Sequence, residues 1–180
     1  MVVTSLQRSV MDALVSKLKY IIPDINFMIA SSFSWSPATK TISYPSKVED
    51  VTVGSWSLIH ETGHAVLRHT SYQTDVELLL MEVAAWQEAR KIAKKIDIVI
   101  DEDHIQNCLD TYRDWLHQRS TCPTCGVVSL QHTDGGYKCH NCSRTWRVTT
   151  SRFCRPYRMT KTGQTKRPHS GSKTRSAAFL

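Results

Sequence analysis

Four cysteines in two short pairs constrain this chain more than any other feature. Cys122-Pro-Thr-Cys125 and Cys139-His-Asn-Cys142 are separated by 13 residues. Each CxxC turn lets both thiolates face one ion while backbone amides donate to sulfur, and two such turns close a tetrahedral four-cysteine site. A pair of disulfides is the alternative. Residues 1–20 carry Asp12 and polar side chains among their apolar positions, so they lack the apolar centre of a secretory signal. No apolar run reaches the roughly 18 residues that a bilayer span needs. A cytoplasmic location without membrane association is therefore expected, and in that reducing compartment paired cysteines hold metal.

Between the pairs, Val127–Leu130 and Tyr137-Lys138 read as short strands around Gly135-Gly136, which with the four-cysteine site makes a zinc ribbon over 121–149. Gly126 supplies a permissive backbone position after the first pair. With four thiolates the zinc is structural, standing in for a core that so short a segment cannot build. His132 and His140 are possible substitutes for a cysteine, though nothing requires them. Cys108 reads as a buried small hydrophobe on its helix, and Cys154 has no partner in sequence.

Charge divides the chain in the same places. Residues 1–120 hold 12 basic and 15 acidic side chains, 121–149 hold three and one, and 150–180 hold eight and none, for a net charge of +7. A mildly acidic body of 120 residues, a ribbon and a basic, disordered tail are expected. Arg144, Trp146 and Arg147, continuing into Arg152, Phe153, Arg155, Tyr157 and Arg158, interleave aromatics with guanidinium groups. Such a surface suits DNA or RNA, through phosphate contacts and base stacking on Trp146. A protein-contacting ribbon is the alternative.

The first 120 residues read as α+β. Leu6, Val10, Leu14, Leu18 and Ile21/Ile22 recur at helical spacing up to Pro23. Ile25–Ala30 reads as a buried strand. Thr41–Tyr44 alternates after a turn at 36–39, so a hairpin is expected. A turn around Gly54-Ser55 precedes a helix over 56–69. Further helices are expected over 75–95 and 104–118, the last with Ile105, Cys108/Leu109, Tyr112 and Trp115/Leu116 as its core stripe.

The helix over 56–69 carries His60-Glu61-Thr62-Gly63-His64. Positions i and i+4 lie about 40° apart around a helix axis, so both imidazoles project from one face and can grip one Zn2+. Glu61, about 100° from His60, can reach a water held by the ion and act as general base. The flanks Leu58, Thr62, Gly63, Ala65 and Val66 are uncharged, as a buried metal helix requires. A surface helix with two incidental histidines is the competing reading. A hydrolytic zinc site takes three protein ligands. His69 lies five residues past His64, about 140° around the same helix, and should point away from the metal. A carboxylate on the next helix fits better. Glu82, among Met81, Val83, Ala84, Ala85 and Trp86, has the surroundings of a core-facing ligand. Glu77 on a more polar turn ranks second, and Glu88, near Arg90 and Lys91, reads as solvated.

The run from Trp56 to Ala93 resembles the minimal zincin core of ImmA/IrrE-type metallopeptidases, in which a HExxH helix precedes a helix with a Glu-x-x-Ala motif, matched here by Glu82 and Ala85. The resemblance covers about residues 5–95 and departs at Trp86, where that family often has Asn. The SprT-like family, which pairs a compact zincin with a C-terminal zinc ribbon, is similar in layout. Its third ligand is a downstream histidine, and this chain has none between His69 and His104. The resemblance implies a metallopeptidase acting on a protein or peptide. The expected function is thus peptide-bond hydrolysis with two Zn2+ ions, one held by His60, His64 and Glu82 and one by Cys122, Cys125, Cys139 and Cys142. Glu61 serves as base, and an edge strand near Thr41–Tyr44 aligns the substrate. The alternatives are a nucleic-acid-binding regulator with a non-proteolytic sensor domain and a hydrolase of non-peptide bonds.

Overall fold

The structure, a computed structural model, describes residues 2–149 and 158–159, with side chains described over 10–149. It is α+β, with four helices and two three-stranded sheets among the described residues. The chain divides into two compact units. Residues up to Ser71 with Met81–Ile105 form one, and Tyr72–Leu80 with the described residues from Gln106 onward form the other.

The first unit opens with α1, Val2–Ile21. Met11, Leu14, Val15 and Leu18 make its buried stripe, whereas Val10 is exposed. The apolar face is thus one position away from the expected 6-10-14-18 line, because Met11 and Val15 complete an i, i+3, i+4, i+7 set that Val10 does not. Three strands follow: β1 (Asn26–Ala30), β2 (Ser34–Ser36) and β3 (Thr41–Pro45), in the order β1-β3-β2. β2 and β3 form the expected hairpin, and Ile42 and Tyr44 are buried as their alternation implies. Two expectations change. β1, read as buried, is an edge strand with Met28 and Ile29 exposed. The segment 41–45, read as an edge, is the central strand, paired parallel with β1 and antiparallel with β2.

Helix α2, Val51–Val66, begins five residues earlier than expected. Asp50 caps it, its carboxylate accepting from the amides of Thr52 (2.7 Å) and Val53 (3.1 Å). Gly54 and Ser55 therefore lie inside the first turns, where the Ser55 hydroxyl donates to the Val51 carbonyl at 2.7 Å. Every residue from Leu58 to Ala65 is buried. That accounts for the uncharged flanks of the histidine motif, since a helix enclosed on all faces has no solvated side.

α3 spans Asp75–Lys95 and α4 spans Glu102–Ser120. A capping box opens α3. The Glu77 amide donates to Thr74 Oγ1 (3.2 Å), and the Glu77 carboxylate accepts from the amides of Gln73 (2.6 Å) and Thr74 (3.4 Å). On α4, Ile105, Leu109, Tyr112 and Trp115 are buried, while Cys108 is only partly so. No helix among the described residues is long and apolar enough to cross a membrane.

The second unit is organised around a buried charge. Asp75 accepts Nε and a terminal nitrogen of Arg119 at 2.7 and 3.2 Å, and the Tyr137 hydroxyl at 2.5 Å. The remaining terminal nitrogen of Arg119 donates to the Thr149 carbonyl. Its guanidinium carbon lies 4.5 Å from the centre of the Trp115 ring. β4 (Tyr137–Lys138), β5 (Thr145–Val148) and β6 (Arg158–Met159) form the second sheet. The expected strand over 127–130 contributes a single isolated bridge, Val128 with Thr121, and Gln131 just beyond it bridges Tyr137. Of the basic segment 150–180, all but the two residues of β6 lies outside the described residues, Cys154 included.

Removing one partner of a buried ion pair strands the other charge. Asp75→Ala should lower stability by about 3–5 kcal/mol, read as a shift in the urea midpoint of tryptophan fluorescence. A shift below about 1 kcal/mol would show that Arg119 finds solvent.

Candidate metal centres

His60 and His64 occupy consecutive turns of α2, and Glu82 sits on α3. Their ligand atoms converge. His60 Nε2 lies 3.1 Å from His64 Nε2, and Glu82 Oε2 lies 3.2 Å from the first and 3.7 Å from the second. Corners of a tetrahedron with bonds of about 2.0–2.1 Å are about 3.3 Å apart, so the three donors stand where one ion would need them. All three side chains are buried.

The approach of the two helices depends on Gly63. A Cβ there would overlap the Ala85 carbonyl oxygen and come within 3.2 Å of its carbon and 3.3 Å of the Ala89 amide nitrogen. Only hydrogen lets α3 come this close, and Glu82 is one turn before Ala85 on it. The sequence reading used Gly63 merely as an uncharged neighbour. On the other side, the Trp86 ring stacks on His60 with centroids 4.2 Å apart and planes inclined by 29°.

Buried carboxylates with few partners mark the site. His60 Nδ1 has no hydrogen-bond partner, Glu82 faces only the two imidazoles, and Glu61 has only the Trp35 main chain. Burial pushes the Glu61 carboxyl well above its ordinary range, repulsion from Glu82 adds to the shift, and the main chain of Trp35 opposes it. Burial also acts to raise Glu82, but His60 and His64 outweigh it and bring the group down to about 2. Burial lowers His64 despite the nearby Glu82 carboxylate. A site that keeps one carboxylate ionised against two imidazoles, with lone pairs unused, fits a cation well. Glu77 is committed to its capping box and Glu88 to Lys91 at 2.7 Å, so neither joins it. The signal for Glu77 was legible as Thr74-x-x-Glu77.

His69 stays out of the donor group, as expected, but not for the reason expected. Its wheel angle assumed that the helix continues, whereas α2 ends at Val66 with Leu67 as its cap. Arg68 adopts the left-handed conformation (φ 54°), its amide donates to the Ala65 carbonyl (3.1 Å) and the His69 amide to that of His64 (3.0 Å). This Schellman turn folds His69 back until its Nδ1 lies 2.8 Å from Nδ1 of His64.

The four cysteines form the second group. Sγ of Cys122 lies 3.6 Å from that of Cys142, and Sγ of Cys125 lies 3.4 Å from that of Cys139. These distances are far beyond a disulfide bond and near the roughly 3.8 Å between thiolates around a tetrahedral ion with 2.3 Å bonds. Two similar knuckles present them. Gly126 and Ser143 both take positive φ (75° and 58°), and their amides donate to the Cys122 and Cys139 carbonyls, each at 3.0 Å. The amides of Thr124 and Cys142 point to the sulfurs of Cys122 and Cys139 at 3.4 and 3.5 Å. The Cys142 amide leads in drawing Cys139 down to about 6. The Arg144 amide draws Cys142 down, but burial and the three neighbouring sulfurs push it up to about 12. Four cysteine sulfurs so placed could hold a metal ion between them.

Trp146 does not face outward. It is buried, its ring stacks on Tyr137 (5.3 Å, 10°), and its Nε1 donates to the Arg119 carbonyl at 3.0 Å. It therefore offers no platform for a base. Its role in the ribbon core went unseen because alternation with Arg144 and Arg147 fits both a stacking surface and a strand with one buried face.

No family model, curated protein or solved structure matches this chain. Fold and donor sets together define its class: an α+β chain with one group of two histidines and a glutamate and one group of four cysteines, each of which could bind a metal ion.

Gly63→Ala should cost about 1–3 kcal/mol by overpacking and should weaken metal retention at the histidine–glutamate group while sparing the four cysteines. Metal content and urea midpoint measured on the same preparation check both. Retention of wild-type metal content in this variant would show that the helix approach does not set the site.

Proposed function

We propose that this chain is a zinc-dependent metallopeptidase built on a minimal zincin core, with a zinc ribbon as its targeting module. One observation carries the reading. Glu61, next to His60 in sequence and fully buried, has only the Trp35 main chain acting on its carboxylate and no side-chain partner, beside three converging metal donors. A purely structural ion has no need of a second buried carboxylate, whereas hydrolysis needs a base. Two imidazoles and one carboxylate are also the donors of hydrolytic zinc sites that keep one position open, and four thiolates are those of closed, structural ones.

His60, His64 and Glu82 hold the catalytic Zn2+, and Cys122, Cys125, Cys139 and Cys142 the structural one. When bound, the catalytic ion polarises the scissile carbonyl and acidifies water. Glu61 accepts the proton of the attacking water and passes it to the leaving amide nitrogen. The substrate strand adds to β2 rather than to the central β3, since β2 is the sheet edge whose Trp35 main chain acts on Glu61. The resemblance to ImmA/IrrE-type peptidases in the two-helix motif supports the same chemistry.

The regulator with a non-proteolytic sensor domain is the weaker reading, because it leaves Glu61 buried without a task. DNA or RNA remains a proposed partner on charge alone, through the eight basic residues after Thr149.

Protein purified without added metal should carry two zinc ions per chain. His60→Ala should remove one and Cys122→Ser the other. Glu61→Gln should keep both and lower hydrolysis of an unfolded protein substrate by at least about 100-fold. Near wild-type hydrolysis in that variant would overturn Glu61 as base. Zinc content insensitive to His60 would overturn the catalytic site altogether.

A further inference from the structure

We propose that His69 is a positioning residue, the hydrogen-bond acceptor that holds His64 in its metal-binding tautomer. The inference rests on the metal reading of the His60, His64 and Glu82 group. His64 turns Nε2 toward His60 and Glu82, which leaves Nδ1 as its second polar atom. That atom lies 2.8 Å from Nδ1 of His69, with ring centroids 4.9 Å apart and planes at 70°. Two ring nitrogens at this distance share one proton, so one donates and the other accepts. A neutral imidazole that offers Nε2 to a metal carries its proton on Nδ1. His64 is then the donor, and His69 accepts at Nδ1 and keeps its own proton on Nε2. The partner on the far nitrogen thereby sets which nitrogen faces the ion.

The acceptor is itself held in place. Its amide donates to the His64 carbonyl at 3.0 Å in the Schellman turn, and its carbonyl accepts from Trp35 Nε1 at 2.8 Å. Main-chain bonds at both ends thus aim the ring. The first histidine of the pair has no equivalent. Nδ1 of His60 is buried without a hydrogen-bond partner, and the flat face of Trp86 fixes that ring instead. The two imidazoles are therefore positioned by different means, one by stacking and one by a hydrogen bond. The His69 ring is only half-buried, and its main-chain bonds do not depend on its side chain. Truncating it should remove the acceptor and leave the turn.

The test uses the full-length chain, Zn2+ and a competing chelator, with the four thiolates as an internal reference. His69→Ala should weaken Zn2+ binding at the His60, His64 and Glu82 site by about 10–100-fold, with occupancy of the four-thiolate site and the thermal midpoint of the metal-free chain unchanged. His69→Asn places Oδ1, an acceptor, near the position of Nδ1 and should restore most of the affinity. Co2+ bound in place of Zn2+ should give the wild-type visible spectrum in the Asn variant and an altered one in the Ala variant. Should the Ala variant not fold, His69→Leu against His69→Asn makes the same comparison with bulk retained. Affinity within twofold of wild type after loss of the acceptor would overturn the role, as would an Asn variant no better than Ala or Leu. A wild-type chain with no His60-dependent zinc overturns the metal reading itself, and this role with it.

Discussion

The contact between Gly63 and the Ala85 carbonyl is the constraint on which the histidine–glutamate group depends. Helix pairs ordinarily keep their axes about 8–10 Å apart because side chains stand between them. At Gly63 nothing stands between them, and a Cβ would collide with main chain that cannot move aside. Glycine inside a helix costs about 0.5–1 kcal/mol relative to alanine. Here that loss places Glu82, one turn before Ala85, within 3.2 Å of His60. Any residue with a side chain at 63 would hold the carboxylate and the imidazoles apart.

Three buried carboxylates in this chain show how differently the same group is accommodated. Asp75 has a bidentate arginine, a tyrosine hydroxyl and an aromatic ring over that arginine. Every charge in that cluster meets its complement within the protein, and the cluster explains itself as structure. Glu82 has only two imidazoles, and Glu61 only the Trp35 main chain. Fold stability alone would favour replacing both with apolar residues. At the buried centre of the helix pair, the spacing of His60, His64 and Glu82 is one that could hold a metal ion.

Much of this was legible in the sequence, and the failures lie where spacing within one element does not decide. The i, i+4 histidines, the apolar setting of Glu82 and the doubled CxxC turns each depend on spacing within one element, which local geometry transmits faithfully. What went wrong lay at element ends or on faces that two environments can share. Asp50 moved the start of α2 forward, and Arg68 in a left-handed conformation ended it before His69, so a wheel angle was applied to a residue outside the helix. A glycine after the first knuckle was an open sign of positive φ, whereas the equivalent Ser143 carried no such sign. Met28 and Ile29 are apolar enough for a core strand, yet β1 became an edge because pairing order is decided by segments distant in sequence.

The burial of Trp146 changes what the second unit can present to a partner. Its indole N–H and the Tyr137 hydroxyl both have internal acceptors, and their rings stack on each other with Cys122 and Cys139 in one small core. Aromatic surface spent in this way is not available to bases. Along the outer positions of the same strands stand Lys138 and Arg147, and Arg147 already faces Asp134 at 3.1 Å. A described face with charge and no exposed aromatic ring of this pair meets phosphates or carboxylates by Coulomb attraction, which positions a ligand without reading its sequence. Base stacking on this core is therefore closed off, and what its described outer face offers a partner is charge.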